Sequence, residues 1–169
     1  EKIKVFGNLP YNISTEIICS WIIKLEKNFW FTELILMFQK EVADRILAKS
    51  KTKEFNRLSV LANWRLDIKK HFDVSNNCFF PKPKVISTVL SFKPIIDNKF
   101  NLQNPKNLEK ITRILFSNRR KMINKNFKKL FKNNNLVLNK LKINPNKRPE
   151  ELSYETFYKI AIEYENSIS

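Results

Sequence analysis

Glycine is almost missing from this chain: its 169 residues hold a single one, Gly7. A glycine-rich cofactor turn needs several residues without a Cβ close together, so none is built from these residues. Histidine is equally scarce. His71 stands alone, and the two cysteines, Cys19 and Cys78, lie far apart with no CxxC spacing. That donor set argues against a zinc site and against a disulfide framework. The cysteines read as reduced thiols in a cytoplasmic protein. A Ser-His-Asp triad would have to use His71, but residues 67–74 (DIKKHFDV) read as a strand carrying a structural histidine. No apolar run approaches the length of a membrane span. The first residues, Glu1-Lys2-Ile3-Lys4, do not read as a signal peptide.

Acidic residues are half as common as basic ones: 16 Asp and Glu against 32 Lys and Arg, a net charge of +16. Such an excess suggests a polyanionic partner, most simply nucleic acid. The chain is also rich in Asn, Lys, Ile and Phe, and codon bias alone can supply many lysines. Distribution is the sharper signal. Residues 110–148 hold thirteen Lys or Arg and no Asp or Glu. Codon bias does not explain an absence of acids. Hydrophobic residues make up 43% of the chain, enough for a real core at this length.

The first half alternates strand and helix signals. Residues 2–6 read as a strand, and Ser14 or Thr15 is placed to cap a helix. Ile13, Ile17, Ile18, Trp21, Ile22 and Leu25 then recur at helical spacing. Residues 33–38 (ELILMF) read as a buried strand, 40–49 as an amphipathic helix, 58–64 as a helix and 67–74 as a strand. Residues 85–92 (VISTVLSF) form a last strand bounded by Pro81, Pro83 and Pro94. The last two strands leave no room for a crossover helix. They should therefore pair as a hairpin at one edge of a mixed sheet. The expected class is α/β, with residues 1–94 as one domain and 95–169 as a small all-helical domain. In the latter, Ile123, Phe127, Leu130 and Phe131 form one stripe, and Lys121, Lys125, Lys128, Lys129 and Lys132 another, about 160° away. Ser153 is placed to cap a final helix that buries Tyr154, Phe157, Tyr158 and Ala161.

The most specific text is Asn8-Leu9-Pro10-Tyr11, directly after the first strand. An amide, a rigid proline and an aromatic ring suit the capture of an exocyclic amine on a flat base. Adenine N6 is a poor nucleophile because its lone pair is delocalised into the ring. Acceptors aimed at its two N–H groups favour a tetrahedral nitrogen. The Asn8 side-chain oxygen and a backbone carbonyl near Leu9 or Pro10 can serve, and Pro10 restricts that backbone. Tyr11 can stack on an extruded base, a contact worth roughly 1–3 kcal/mol. No strong general base is needed, since the nitrogen can lose its proton after attacking a sulfonium methyl.

The wider text, from Phe6 to Thr15, resembles the fourth motif of the ribosomal RNA adenine N6-dimethyltransferases. Met37-Phe38-Gln39-Lys40-Glu41-Val42-Ala43-Asp44-Arg45 and Arg57-Leu58-Ser59-Val60-Leu61 resemble the family's next two blocks. Phe79-Phe80-Pro81-Lys82-Pro83-Lys84-Val85 resembles its eighth motif. That match implies Phe79 as a second ring closing on the target base, with Phe80 as the alternative. Residues 115–121 (LFSNRRK), 143–145 and 148–153 (RPEELS) resemble the small-subunit, kasugamycin-resistance branch rather than the macrolide-resistance branch that modifies large-subunit rRNA.

The resemblance implies a Rossmann-like class I methyltransferase domain and S-adenosylmethionine as methyl donor, with no metal. Asn8 would border that donor. It also implies dimethylation of adenosine N6 in 16S rRNA of the immature small subunit, by a cytoplasmic and monomeric complete enzyme. Arg113, Arg119, Arg120, Lys121, Lys125, Lys128 and Lys129 are the expected RNA contacts. The family's glycine-rich turn and ribose-binding acid have no counterpart in these residues. The chain therefore reads as the second half of the methyltransferase domain plus the helical domain. Alone it is expected to be inactive and, through an open sheet edge, prone to self-association. A non-catalytic nucleic-acid-binding factor on the same fold is the reading from another class.

Overall fold

The computed structural model describes residues 3–24 and 29–168. Lys2 and Leu25, expected in the first strand and first helix, lie outside them. Four strands form one sheet: β1 (Ile3–Asn8), β2 (Phe31–Gln39), β3 (Leu66–Val74) and β4 (Ser87–Pro94). Their order is β1-β2-β4-β3. β1 runs parallel to β2, whereas β4 is antiparallel to both β2 and β3. The sheet is thus mixed, with the β3–β4 pair at one edge and β1 at the other. His71 sits at the register shift in β3, where Lys70 faces Leu90 and Phe72 faces Val89. It is exposed there and is the extra residue of a bulge.

β2 alternates rather than burying every side chain. Leu34, Leu36 and Phe38 are fully buried, while Ile35 and Met37 are half-buried. One face of the sheet therefore carries the better-covered core. Helices α2 (Lys40–Leu47) and α3 (Arg57–Arg65) pack on the sheet, and α1 (Ser14–Lys24) and α4 (Pro105–Phe116) pack against α3 and each other. Ser14 does not cap α1; it is buried inside the first turn, and its hydroxyl donates to the Tyr11 carbonyl at 3.3 Å. α3 starts at a capping box. The Asn56 side chain accepts from the Leu58 N–H at 2.7 Å, and Ser59 Oγ accepts from the Asn56 N–H at 3.0 Å.

The remaining helices are α5 (Asn124–Leu130), α6 (Asn134–Lys140) and α7 (Tyr154–Ile168). Ser153 caps α7, accepting from the Thr156 N–H at 3.2 Å. Phe55 joins the two halves of the core: its ring meets Phe116, Tyr154 and Phe157 at centroid distances of 6.0, 5.3 and 6.3 Å. The carboxylate of Glu165 is buried. It accepts from the Gln103 and Asn104 N–H groups and from Asn107 Nδ2, tying the connection after β4 to α7.

Two phenols bolt α7 to the helices beneath it. Tyr154 donates to the Ala48 carbonyl, and Tyr158 to the Val60 carbonyl at 3.1 Å. Burial pushes the Tyr154 phenol up to about 12. It raises Tyr158 further, with Tyr154 adding to the effect. The sign is destabilising in alkali. Above pH 10 the unfolded chain releases protons that the folded chain retains, so stability is intact below pH 10 and falls from there through about pH 12. Denaturant titrations at stepped pH should show this loss beginning near pH 10. In Tyr158→Phe the loss should be shallower, with about 1–2 kcal/mol less stability at neutral pH because the Val60 carbonyl loses its donor. A stability profile flat from pH 9 to 12 would contradict this assignment.

Candidate functional site

β1 ends at Asn8, whose backbone still pairs with Met37. Gly7 precedes it for a packing reason: a Cβ there would lie 2.9 Å from Leu36 Cδ2 on the neighbouring strand. The chain then turns. The Ile13 N–H donates to the Pro10 carbonyl at 3.1 Å, and α1 begins at Ser14. One lone pair of the Pro10 carbonyl is therefore in use, which leaves Leu9 as the freer backbone acceptor.

The second wall comes from the connection between β3 and β4. A short 3-10 turn, Asn76–Cys78, opens on Ser75, and the Cys78 N–H returns to the Ser75 carbonyl at 3.1 Å. The Phe79 N–H donates to the Asn76 carbonyl at 3.4 Å, and Asn76 Nδ2 donates to the Pro83 carbonyl at 3.3 Å. The Phe80–Pro81 peptide is cis. These bonds bring Phe79 and Phe80 opposite Asn8, Leu9, Pro10 and Tyr11 across a cleft of about 310 Å³. Phe79 is half-buried, whereas Phe80 is fully exposed.

Tyr11 is held by a residue that sequence reasoning missed. Its hydroxyl lies 2.5 Å from Ser87 Oγ, the first residue of β4, which is fully buried. The available signal was a serine interrupting the apolar run of residues 85–92. The bond fixes the phenol, and with it the face that the ring turns to the cleft. Ser87→Ala should weaken binding of an adenosine-containing RNA by about three- to tenfold, the worth of one positioning hydrogen bond. Tyr11→Phe should show the same loss, and the double variant no more than either. Additive losses, read by fluorescence anisotropy, would contradict the positioning role.

A larger cavity, about 1110 Å³, lies among α1, α2, α3 and α4, away from this cleft. Three of its cations are paired with acids that also line it: Arg45 with Glu41 at 2.5 Å, Arg57 with Glu109 at 2.5 Å and Lys53 with Glu54 at 3.6 Å. Cys19 lines it, with burial pushing the thiol up to about 11. That thiol is a packing group and not a nucleophile at neutral pH. Size alone does not make this cavity the site, because it gathers none of Asn8, Leu9, Pro10, Tyr11 and Phe79.

On the basic surface the structure separates two kinds of residue. Ile123, Phe127, Leu130 and Phe131 are buried, and Lys121, Lys125, Lys128, Lys129 and Lys132 are exposed on the opposite side. Arg113 and Arg120 are also exposed. Among the described residues, none of these cations has an acidic partner in ion-pair range. Arg119 is different. It pairs with Glu150 at 2.6 Å and donates to the carbonyls of Thr52 and Lys53 at 3.3 and 2.5 Å. It is a strut between the two halves of the molecule. Among the described residues no group of three or more His, Cys, Asp or Glu is placed to hold a metal ion. No helix among them is long and apolar enough to cross a membrane.

The mixed sheet with helices packed on it is an α/β fold, and comparison with solved structures identifies it as the α/β methyltransferase fold. A solved dimethyladenosine transferase from Plasmodium falciparum superposes with a TM-score of 0.83 at 24% identity, covering 99% of this chain and 68% of that one. The 23S rRNA methyltransferase ErmE superposes with a TM-score of 0.65 at 16% identity, covering 100% of this chain and 66% of that one. Sequence carries the assignment further. The family model described as ribosomal RNA adenine dimethylase matches residues 1–166. The chain belongs to that family. It is 50% identical to the ribosomal RNA small subunit methyltransferase A of Pelagibacter ubique, over 98% of this chain and 63% of the relative. A Wolbachia relative of the same name is 42% identical over 94% of this chain and 57% of its own length. The chain thus spans about three-fifths of these curated relatives.

Proposed function

We propose that this chain supplies the adenine-holding cleft and the rRNA-docking helices of a small-subunit rRNA adenine N6-dimethyltransferase. The observation that carries the reading is the cleft that gathers Asn8, Leu9, Pro10 and Tyr11 with Phe79, in a chain of the ribosomal RNA adenine dimethylase family that is half identical to a small subunit methyltransferase. In this reading Asn8 and the Leu9 carbonyl accept hydrogen bonds from adenine N6, and Tyr11 and Phe79 stack on the ring. The acceptors would hold the N6 lone pair out of the plane of the ring, and the N6 proton would be released to solvent. The cleft needs no general base.

S-Adenosylmethionine is the methyl donor of the proposed enzyme. The residues present do not form its pocket. The single glycine packs against Leu36, and Asn8 is the one residue we assign to border the donor. The chain's own contribution is to hold the acceptor. We assign residues 1–94 to the second half of a Rossmann-like methyltransferase domain and 95–169 to a helical rRNA-binding domain. Arg113, Arg120, Lys121, Lys125, Lys128 and Lys129 are the proposed phosphate contacts, with Arg119 holding the following residues in place. The proposed setting is cytoplasmic ribosome biogenesis, with the complete enzyme acting as a monomer on 16S rRNA of the immature small subunit.

The test joins these residues to the stretch of the Pelagibacter relative that the match leaves out. The joined protein is incubated with S-adenosylmethionine and each ribosomal subunit. Dimethyladenosine in small-subunit rRNA is the expected product. Modification confined to the large subunit would favour the macrolide-resistance branch. RNA binding without modification, by a folded and donor-binding protein, would favour a non-catalytic factor.

A further inference from the structure

Phe79 and Phe80 are neighbours with opposite surroundings. Phe79 has extended backbone angles, φ −124° and ψ 148°, and both rings line the cleft, at different depths. Phe79 is half-buried, and Phe80 is 102% exposed on the cleft's rim. Such a ring in water is costly, yet the segment bearing it is held by the bonds from Asn76 to Phe79 and Pro83. Lys82 and Lys84 are exposed just beyond, and among the described residues neither has an acidic partner in ion-pair range. A bare aromatic face beside two free cations matches single-stranded nucleic acid, with a base for the ring and phosphates for the charges.

We propose that Phe80 is a stacking platform for the nucleotide next to the target adenosine, with Lys82 and Lys84 on the flanking phosphates. The inference rests on the reading of the cleft as an adenine site. Extruding one base unstacks its neighbour. A ring one residue from Phe79, exposed on the rim of the same cleft, meets that neighbour and steadies the strand while the target base is inside.

The experiment uses this chain and a short single-stranded RNA with a central adenosine, read by fluorescence anisotropy. Replacing one of the two bases next to that adenosine by an abasic nucleotide should weaken binding about tenfold. Phe80→Ala should weaken binding of the intact RNA equally, and should not weaken binding of that abasic RNA further. Phe80→Trp should restore the affinity. Wild-type affinity in Phe80→Ala, or losses that multiply, would overturn the proposal. An abasic nucleotide at the central position, tested against Phe79→Ala, separates this result from failure of the cleft reading. If the central pair is uncoupled while the neighbouring pair is coupled, the failure lies in the cleft reading, and the placement of Phe80 beside the target adenosine falls with it. The reverse pattern removes the platform alone.

Discussion

In the joined enzyme, Asn8→Ala should lower the methyl-transfer rate by about a hundredfold to a thousandfold, while rRNA affinity stays within about twofold. The size of the effect follows from where the side chain acts. The Asn8 backbone is already used in the pairing with Met37, so strand β1 does not depend on the amide. The residue is exposed at the strand's end, and its loss opens no cavity. In the proposed reading the variant loses an acceptor for N6, whose value is greatest as the nitrogen becomes tetrahedral. It keeps the proposed stacking by Tyr11 and Phe79 and the proposed phosphate contacts, so binding should survive. Single-turnover rates with saturating rRNA, alongside a binding titration, separate the two quantities. Equal loss of both would count against the assigned role.

The second large effect concerns charge. Replacing Arg120, Lys121, Lys125 and Lys128 together by glutamine should reduce rRNA affinity by about a hundredfold near physiological salt. It should also flatten the plot of log affinity against log salt by about 3 units, at roughly 0.7–0.9 per lost phosphate contact. These residues are exposed and lack acidic partners among the described residues, so folding should be unaffected. Arg119→Gln should behave in the opposite way. It breaks the pair with Glu150 and two bonds to the carbonyls of Thr52 and Lys53. A loss of about 2–4 kcal/mol of stability is expected, with the salt slope little changed. An unchanged slope in the fourfold variant would move the RNA surface elsewhere.

Much of this was legible before any coordinates. Runs of apolar, β-branched and aromatic residues, bounded by turn residues and prolines, located all four strands, because strand preference is carried by neighbouring residue types. The short connection between β3 and β4 announced antiparallel pairing at an edge. Sequence did not say that β4, the last strand, sits between β2 and β3. That order depends on pairing across about fifty residues, which local pattern does not carry. Nor did it reveal Glu165, an ordinary helix glutamate by pattern but a buried one in the structure. The site divides the same way. Asn8 to Tyr11 stood out because their types and spacing are local. The Tyr11–Ser87 bond spans 76 residues and leaves only a serine in an apolar run as its trace. Arg119, read with Arg120 and Lys121 as one basic cluster, parts from them because its acid, Glu150, comes 31 residues later.

The measurement closest to the central claim is a crystal structure of this chain with bound adenosine. The account predicts the base between Tyr11 and Phe79, with N6 within hydrogen-bonding distance of the Asn8 side-chain oxygen and the Leu9 carbonyl. Adenosine seated instead in the larger cavity beside Cys19 and Arg57, with the cleft at the end of β1 left empty, would contradict it.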